Sequence, residues 1–271
     1  MGIVTYNFQS HYLRSNTTIA MILPEKPRYV KARDFFESGK KYKVLWMLHG
    51  TYGDWSDWIR KTRIELYAAE HDLICVFPSA LNSDYVSWPS FALGYDAENH
   101  LINELMPLVH NWFPASSRKE DNYIAGLSMG GRGALSYILK YPDLFNAGAI
   151  LSFVPEDFRS PDWAEKYRKR RDRISEIRQQ NRICNAGGEE EYKKKTDYYS
   201  MILSMSAEGT LPRLFFACGD DDPLYAEEFR SFKAECEEKS IPIEFWRESG
   251  MKHEWRFWED AIIKALEFFN L

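Results

Sequence analysis

The chain has 271 residues, 35 lysines and arginines against 40 aspartates and glutamates, a formal charge of -5, and a hydrophobic fraction of 45%. A chain of this length and composition can bury one substantial core, which excludes a disordered protein and a miniprotein held together by disulfides. The acidic balance argues against nucleic acid as a partner, because phosphates call for a basic surface.

The opening Met1-Gly2-Ile3-Val4-Thr5-Tyr6-Asn7-Phe8 has neither the basic nor the apolar part of a secretory leader, and no apolar run approaches a membrane span. A soluble cytoplasmic protein is expected, with no membrane partner. Residues 17–23 read as a strand stopped by Pro24, and residues 42–48 form a nearly continuous apolar run suited to a strand covered on both faces. A helix is expected over 58–70, a strand over 73–77, and a helix over 97–112 with Leu101, Leu105, Leu108 and Trp112 on one face. After the strand ending at Leu127 come a helix over 132–141 and strands over 147–151, 214–218 and 243–246. Helices over 225–239 and 255–269 separate or follow them. Strands alternating with helices predict an α/β fold, a mostly parallel sheet with helices on both faces in a single domain over 1–271.

One stretch breaks the alternation. Residues 155–206 contain no strand-like run but a dense charged segment around Trp163-Ala164-Glu165-Lys166-Tyr167-Arg168. As a helical insertion it would cap the cleft, a lid presenting Trp163 or Tyr167 to substrate; as a solvated surface helix it would dock through Tyr167, Ile174 and Ile177. Both readings stand at this point.

Cys75, Cys184, Cys218 and Cys236 lack paired spacing and histidine companions, so no zinc site is expected. Cys75 and Cys218, inside apolar runs, read as reduced core residues.

The chemistry concentrates at Gly126-Leu127-Ser128-Met129-Gly130-Gly131, where a strand turns sharply into a helix with a serine at the corner. This is the pattern of a nucleophile elbow. Glycines are needed at 126 and 130 because a side chain there would strike the facing strand or helix, and the helix N-terminus brings unpaired N–H groups to the place where an oxyanion would form. By itself the five-residue pattern is weak, since roughly one chain in ten of this length carries it by chance. Its flanking elements and partners supply the specificity.

A serine nucleophile needs a general base. Of the six histidines, His11, His71, His100 and His110 precede or lie within structural elements, and His49, at a strand end, reads as a packed, hydrogen-bonded ring. His253 sits in the loop Ser249-Gly250-Met251-Lys252-His253-Glu254 between the last strand and the last helix, where it can turn back toward the sheet. The imidazole needs a carboxylate to fix its tautomer. Asp220, Asp221 and Asp222 directly follow a strand, and Asp222 is favoured because Pro223 and Leu224 anchor it while its neighbours face solvent. A metal site at the three acids would require further ligands that the loop lacks. The order Ser128, Asp222, His253 is that of α/β-hydrolases.

These segments, with Leu48-His49-Gly50 and Cys218-Gly219-Asp220-Asp221-Asp222-Pro223-Leu224-Tyr225, resemble the esterase D-like α/β-hydrolases, a group containing tributyrin esterases, feruloyl and acetylxylan esterases of carbohydrate esterase family 1, and S-formylglutathione hydrolases. The likeness runs from about Thr5 to the C-terminus. It implies Ser128 as nucleophile, His253 as base, Asp222 as acid, and the backbone N–H groups of Thr51 and Met129 as oxyanion donors, with no metal or organic cofactor. The expected partner is a small-molecule or oligosaccharide ester, feruloyl, acetyl or short acyl; an S-formylglutathione-type thioester is the alternative, and a catalytically silent binding module the alternative from another class. Trp163 and Trp255 are the candidate substrate contacts, with Trp55, Trp58, Trp88 and Phe91 as further aromatics near strand ends. Homo-oligomerisation is left open.

Overall fold

The computed structural model describes residues 1–160, 163 and 173–271, without the side chains of 173–175. Ten strands are present among them: β1 Gly2–Ser10, β2 Ser15–Leu23, β3 Val44–Leu48, β4 Ile74–Phe77, β5 Ser87–Trp88, β6 Tyr95–Asp96, β7 Asn122–Leu127, β8 Ala147–Leu151, β9 Arg213–Gly219 and β10 Ile243–Glu248. Eight of them form one sheet in the order β1-β2-β4-β3-β7-β8-β9-β10, and β5 and β6 pair as a small separate ribbon. The pairings from β4 through β3, β7, β8 and β9 to β10 are parallel, while β1 and β2 are joined antiparallel at one edge. This is the α/β-hydrolase fold.

The apolar runs form the centre of the sheet because both of its faces are covered. Every residue of β3 is fully buried, and successive side chains enter opposite cores: Val44, Trp46 and Leu48 one way, Leu45 and Met47 the other. The first core takes in the helices Met129–Lys140, Tyr198–Ala207 and Ala226–Glu238 through Leu135, Ile202 and Phe229; the second takes in Ile64–Glu70 and Trp255–Phe269 through Tyr67, Phe257 and Ile262.

Some local readings change. Strand β1 was not foreseen: its half-buried Val4, Tyr6 and Phe8 alternate with exposed Ile3, Thr5 and Asn7, a pattern produced by an edge strand with one wet face. The helix expected over 58–70 breaks into Asp57–Lys61 and Ile64–Glu70 at Thr62, whose backbone is extended and whose hydroxyl donates to the Trp58 carbonyl at 2.6 Å. The helix expected over 97–112 contains a π-helical stretch, His100–Leu105, that ends two residues before Pro107, which lacks the N–H a regular turn would use. At the end of the 155–206 stretch, the helix Tyr198–Ala207 packs into the first core, with Tyr198 and Ile202 fully buried there. Cys75, Cys218 and Cys236 are buried free thiols, and Cys184 is exposed.

Leu48 pairs with Gly126 and Leu127 with Leu151, so β3, β7 and β8 end at one level and their outgoing loops emerge side by side. The chain leaves β3 toward β4 and β7 toward β8, in opposite directions, so the sheet opens a crevice at its carboxyl end between β3 and β7.

Candidate active site

Ser128 lies at φ 52°, ψ -112°, a conformation seldom held by a residue with a Cβ. The surroundings fix it: its N–H donates to the Leu151 carbonyl at 2.8 Å, and its own carbonyl accepts from Arg132 N–H at 3.1 Å. The glycines meet the predicted crowding. A Cβ at Gly126 would strike the Gly130 carbonyl, and one at Gly130 would lie 2.7 Å from the His49 carbonyl oxygen and closer still to that of Leu48. Gly133 admits the Tyr85 ring, which a Cβ would approach to 2.7 Å.

His253 Nδ1 lies 2.8 Å from Asp222 Oδ2. The other carboxylate oxygen of Asp222 accepts from the N–H groups of Leu224 at 2.8 Å and Tyr225 at 3.1 Å. Burial would raise the Asp222 pKa, but the hydrogen bond and charge of His253, together with the Leu224 amide and Ser152, outweigh it and hold the carboxyl below its ordinary range. The ring of His253 is packed edge-on against Trp258 at 5.1 Å, and Trp258 donates to Ser152 Oγ at 3.1 Å. Close backbone approach joins the two loops: a side chain at Gly219 would collide with the Met251 carbonyl. Of the remaining acids, Asp220 pairs with Arg247 at 2.6 Å and Asp221 is exposed.

Ser128, Met129, Thr51, His253 and Trp255 share the wall of a cavity of about 390 Å³. Between Ser128 and His253 there is no hydrogen bond among the described residues, a contact that in unliganded hydrolytic sites often closes only when substrate binds. Met129 opens its helix, so its N–H has no intrahelical acceptor. His49 is a packed, hydrogen-bonded ring: Nδ1 lies 2.7 Å from the Gly50 carbonyl, Nε2 accepts from Ala80 N–H at 3.0 Å, and burial lowers its pKa.

Trp163 is not at this cavity. It is 7% exposed within an aromatic cluster, stacked on Tyr192 at 6.2 Å and edge-on to Phe158 at 4.8 Å, and it lines a neighbouring cavity of about 350 Å³ that shares the walls Phe153 and Tyr225 with the first. Trp58 donates to the Leu48 carbonyl at 3.1 Å, and Trp88 joins the Trp163 cluster. Tyr167 and the side chain of Ile174 lie outside the described residues, and Ile177 is 46% exposed. What the charged stretch does bring to the Ser128 cavity is Arg178 and Arg182, on the helix Arg173–Ala186, both bonded to the buried Asp84. Sequence reasoning overlooked all three. The only available signal was the four-residue spacing of the arginines, which places them on one helix face.

A family model described as "Putative esterase" matches residues 10–269. The chain belongs to that esterase family. It is 28% identical over 287 residues to an acetyl esterase of Caldicellulosiruptor saccharolyticus, covering 100% of this chain and 98% of the relative. Among solved structures it resembles the S-formylglutathione hydrolase FrmB of Staphylococcus aureus, with 27% identity, a TM-score of 0.78, and 99% and 98% of the two chains covered. It also resembles FphF, a fluorophosphonate-binding serine hydrolase of the same organism, with 26% identity, a TM-score of 0.77 and the same coverage. The kinship supports ester hydrolysis as the activity class, and among the described residues no helix is long and apolar enough to cross a membrane.

Proposed function

We propose that this esterase hydrolyses carboxylic esters through a covalent acyl-enzyme formed on Ser128. His253 takes the hydroxyl proton, Asp222 holds the imidazole in the tautomer that can accept it, and the N–H groups of Met129 and Thr51 stabilise the tetrahedral oxyanion. Water, activated by His253, then releases the acid. The observation that carries this reading is the 2.8 Å contact from His253 Nδ1 to a buried Asp222, made beside a serine held at positive φ in the same cavity. Nδ1–H committed to Asp222 leaves Nε2 unprotonated and able to act as base.

For substrate we favour acetyl, feruloyl or short-chain acyl esters of small molecules or oligosaccharides. A cavity of about 390 Å³ is small for a binding site and suits a short or single-ring acyl group, with a longer leaving group outside. An S-formylglutathione-type thioester shares this requirement for a small acyl group. A silent binding module would have no use for the Asp222–His253 bond. On nitrophenyl acetate, Ser128→Ala and His253→Ala are each expected to cost roughly 10³-fold or more in turnover, with a double variant barely worse than either. Full activity in Ser128→Ala, or strictly additive losses, would overturn the assignment. Methyl ferulate, acetylated xylan and S-formylglutathione then separate the substrate classes.

A further inference from the structure

We infer that Arg178 is a positioning residue for the oxyanion site: held by Asp84, its guanidinium fixes Thr51 against the Ser128 cavity, so the inserted segment takes part in the chemical step. The inference rests on the proposed roles of Ser128 and Thr51.

The loop carrying Thr51 is partly exposed. Tyr52 is 78% exposed at φ 65°, and Gly53 follows it. A donor aimed at a developing oxyanion must nevertheless be held before the reaction begins, since a displacement of about 1 Å can cost on the order of 10²-fold in rate. The loop after β4 braces one side. Ala80 N–H donates to His49 Nε2 at 3.0 Å, Asn82 Oδ1 accepts from Tyr52 N–H at 2.9 Å, and Ser79 Oγ accepts from Trp55 N–H at 3.2 Å. None of these bonds reaches Thr51.

The other brace comes from the insertion. Arg178 Nη1 donates to Thr51 Oγ1, while Arg178 Nη2 donates to Asp84 Oδ1 at 2.5 Å. Arg182, one helical turn on, donates to the same carboxylate through Nε at 2.5 Å and Nη2 at 2.6 Å. The Asp84 side chain is 2% exposed and that of Arg182 7%, and the two arginines hold the Asp84 carboxyl well below the usual carboxylate range against the effect of burial. A planar guanidinium bonded to two acceptors has little freedom to swing, which a lysine ammonium would keep. Asp84 belongs to the loop that holds His49 and Tyr52, with Leu81, Asp84 and Tyr85 all at positive φ. Arg178 therefore closes a ring running from Thr51 through Asp84 and Asn82 back to Tyr52.

The test uses the full chain and nitrophenyl acetate, an ester with no anionic group for a cation to pair with. Arg178→Met is expected to lower kcat about tenfold or more, short of the roughly 10²–10³ that loss of an oxyanion donor costs, with KM within about twofold. Thr51→Val, which keeps the amide but removes the acceptor, is expected to lose a similar factor, and the double variant no more than the worse single one. Binding of an aryl boronic acid, which mimics the tetrahedral state, should weaken by the same factor as kcat/KM. If Arg178→Met melts far below the parent, Arg178→Lys carries the same comparison, keeping the charge without the fork. Unchanged kcat in a folded variant, additive losses in the double variant, or an effect confined to KM for anionic esters would overturn the inference. The last result would make Arg178 a substrate-binding cation. Ser128→Ala runs alongside: if it retains turnover, the nucleophile assignment has failed and the positioning role falls with it, whereas a dead Ser128→Ala beside an unaffected Arg178→Met refutes the positioning role alone.

Discussion

Replacing Asp222 by asparagine removes one charge and almost no volume, and the hydrogen bonds around it dictate which way the amide must face. Oδ1 accepts two backbone N–H groups, from Leu224 at 2.8 Å and Tyr225 at 3.1 Å. An amide nitrogen placed there would set its hydrogens against two donors, so the side-chain oxygen must occupy that position. The NH₂ group is then forced toward His253 Nδ1, where it donates rather than accepts. The imidazole responds by carrying its proton on Nε2, the atom that should take the proton from Ser128. A wrong tautomer of this kind costs roughly 10⁴-fold in kcat, about 5 kcal/mol of transition-state stabilisation. The fold should lose far less, about 1–2 kcal/mol for exchanging charge-assisted hydrogen bonds for neutral ones. Turnover of nitrophenyl acetate and a melting curve measure the two effects. Asp220→Asn and Asp221→Asn serve as controls: the first loses a partly exposed pair with Arg247 and the second an exposed side chain, so each should stay within a few-fold of the parent. Activity within about tenfold of the parent for Asp222→Asn, or a large loss in either control, would refute the reasoning.

Glu104 accepts hydrogen bonds from Ser10 and the His11 N–H and lies 2.7 Å from His100 Nδ1; burial raises its pKa, but these partners outweigh it and push the value down to about 2. Because the folded value lies below the unfolded one of about 4.3, this stabilisation is present above that pH and lost as pH falls toward 2. Glu104→Gln should therefore melt below the parent at pH 6, with the gap narrowing between about pH 5 and 2; a pH-independent gap would count against it. Trp163→Ala opens a hole in the aromatic cluster with Tyr192 and Phe158 and is expected to cost about 3–5 kcal/mol in stability while leaving the preference order among acetate, butyrate and ferulate esters unchanged. A changed preference at an unchanged melting temperature would instead give Trp163 a substrate contact.

The elbow and the central strands were readable in the sequence because their causes are local. Glycines at 126 and 130 answer collisions within one turn and its facing strand, and β3, β7 and β8 are buried throughout, so each appears as an apolar run apart from Asn122 at the start of β7. The positions of Asp222 and His253 in loops after successive strands were also readable, since a parallel sheet places all such loops at one end. The contact between them was decided by tertiary structure, through the close backbone approach of Gly219 to Met251 and the register of β9 against β10. Strand β1 escaped notice because half of its residues face water.

The larger gap concerns the charged stretch. In sequence its arginines are indistinguishable from a solvated face. They became part of the site through Asp84, 94 residues from Arg178 and 98 from Arg182. A chain carries no periodic signal for a contact of that span. Burial of a carboxylate gives two arginines a reason to leave water, and whether a carboxylate is buried is settled only when the loop after β4 packs beneath the helix. Sequence alone determined which residues could do the chemistry; the packing of distant segments decided what holds them in place.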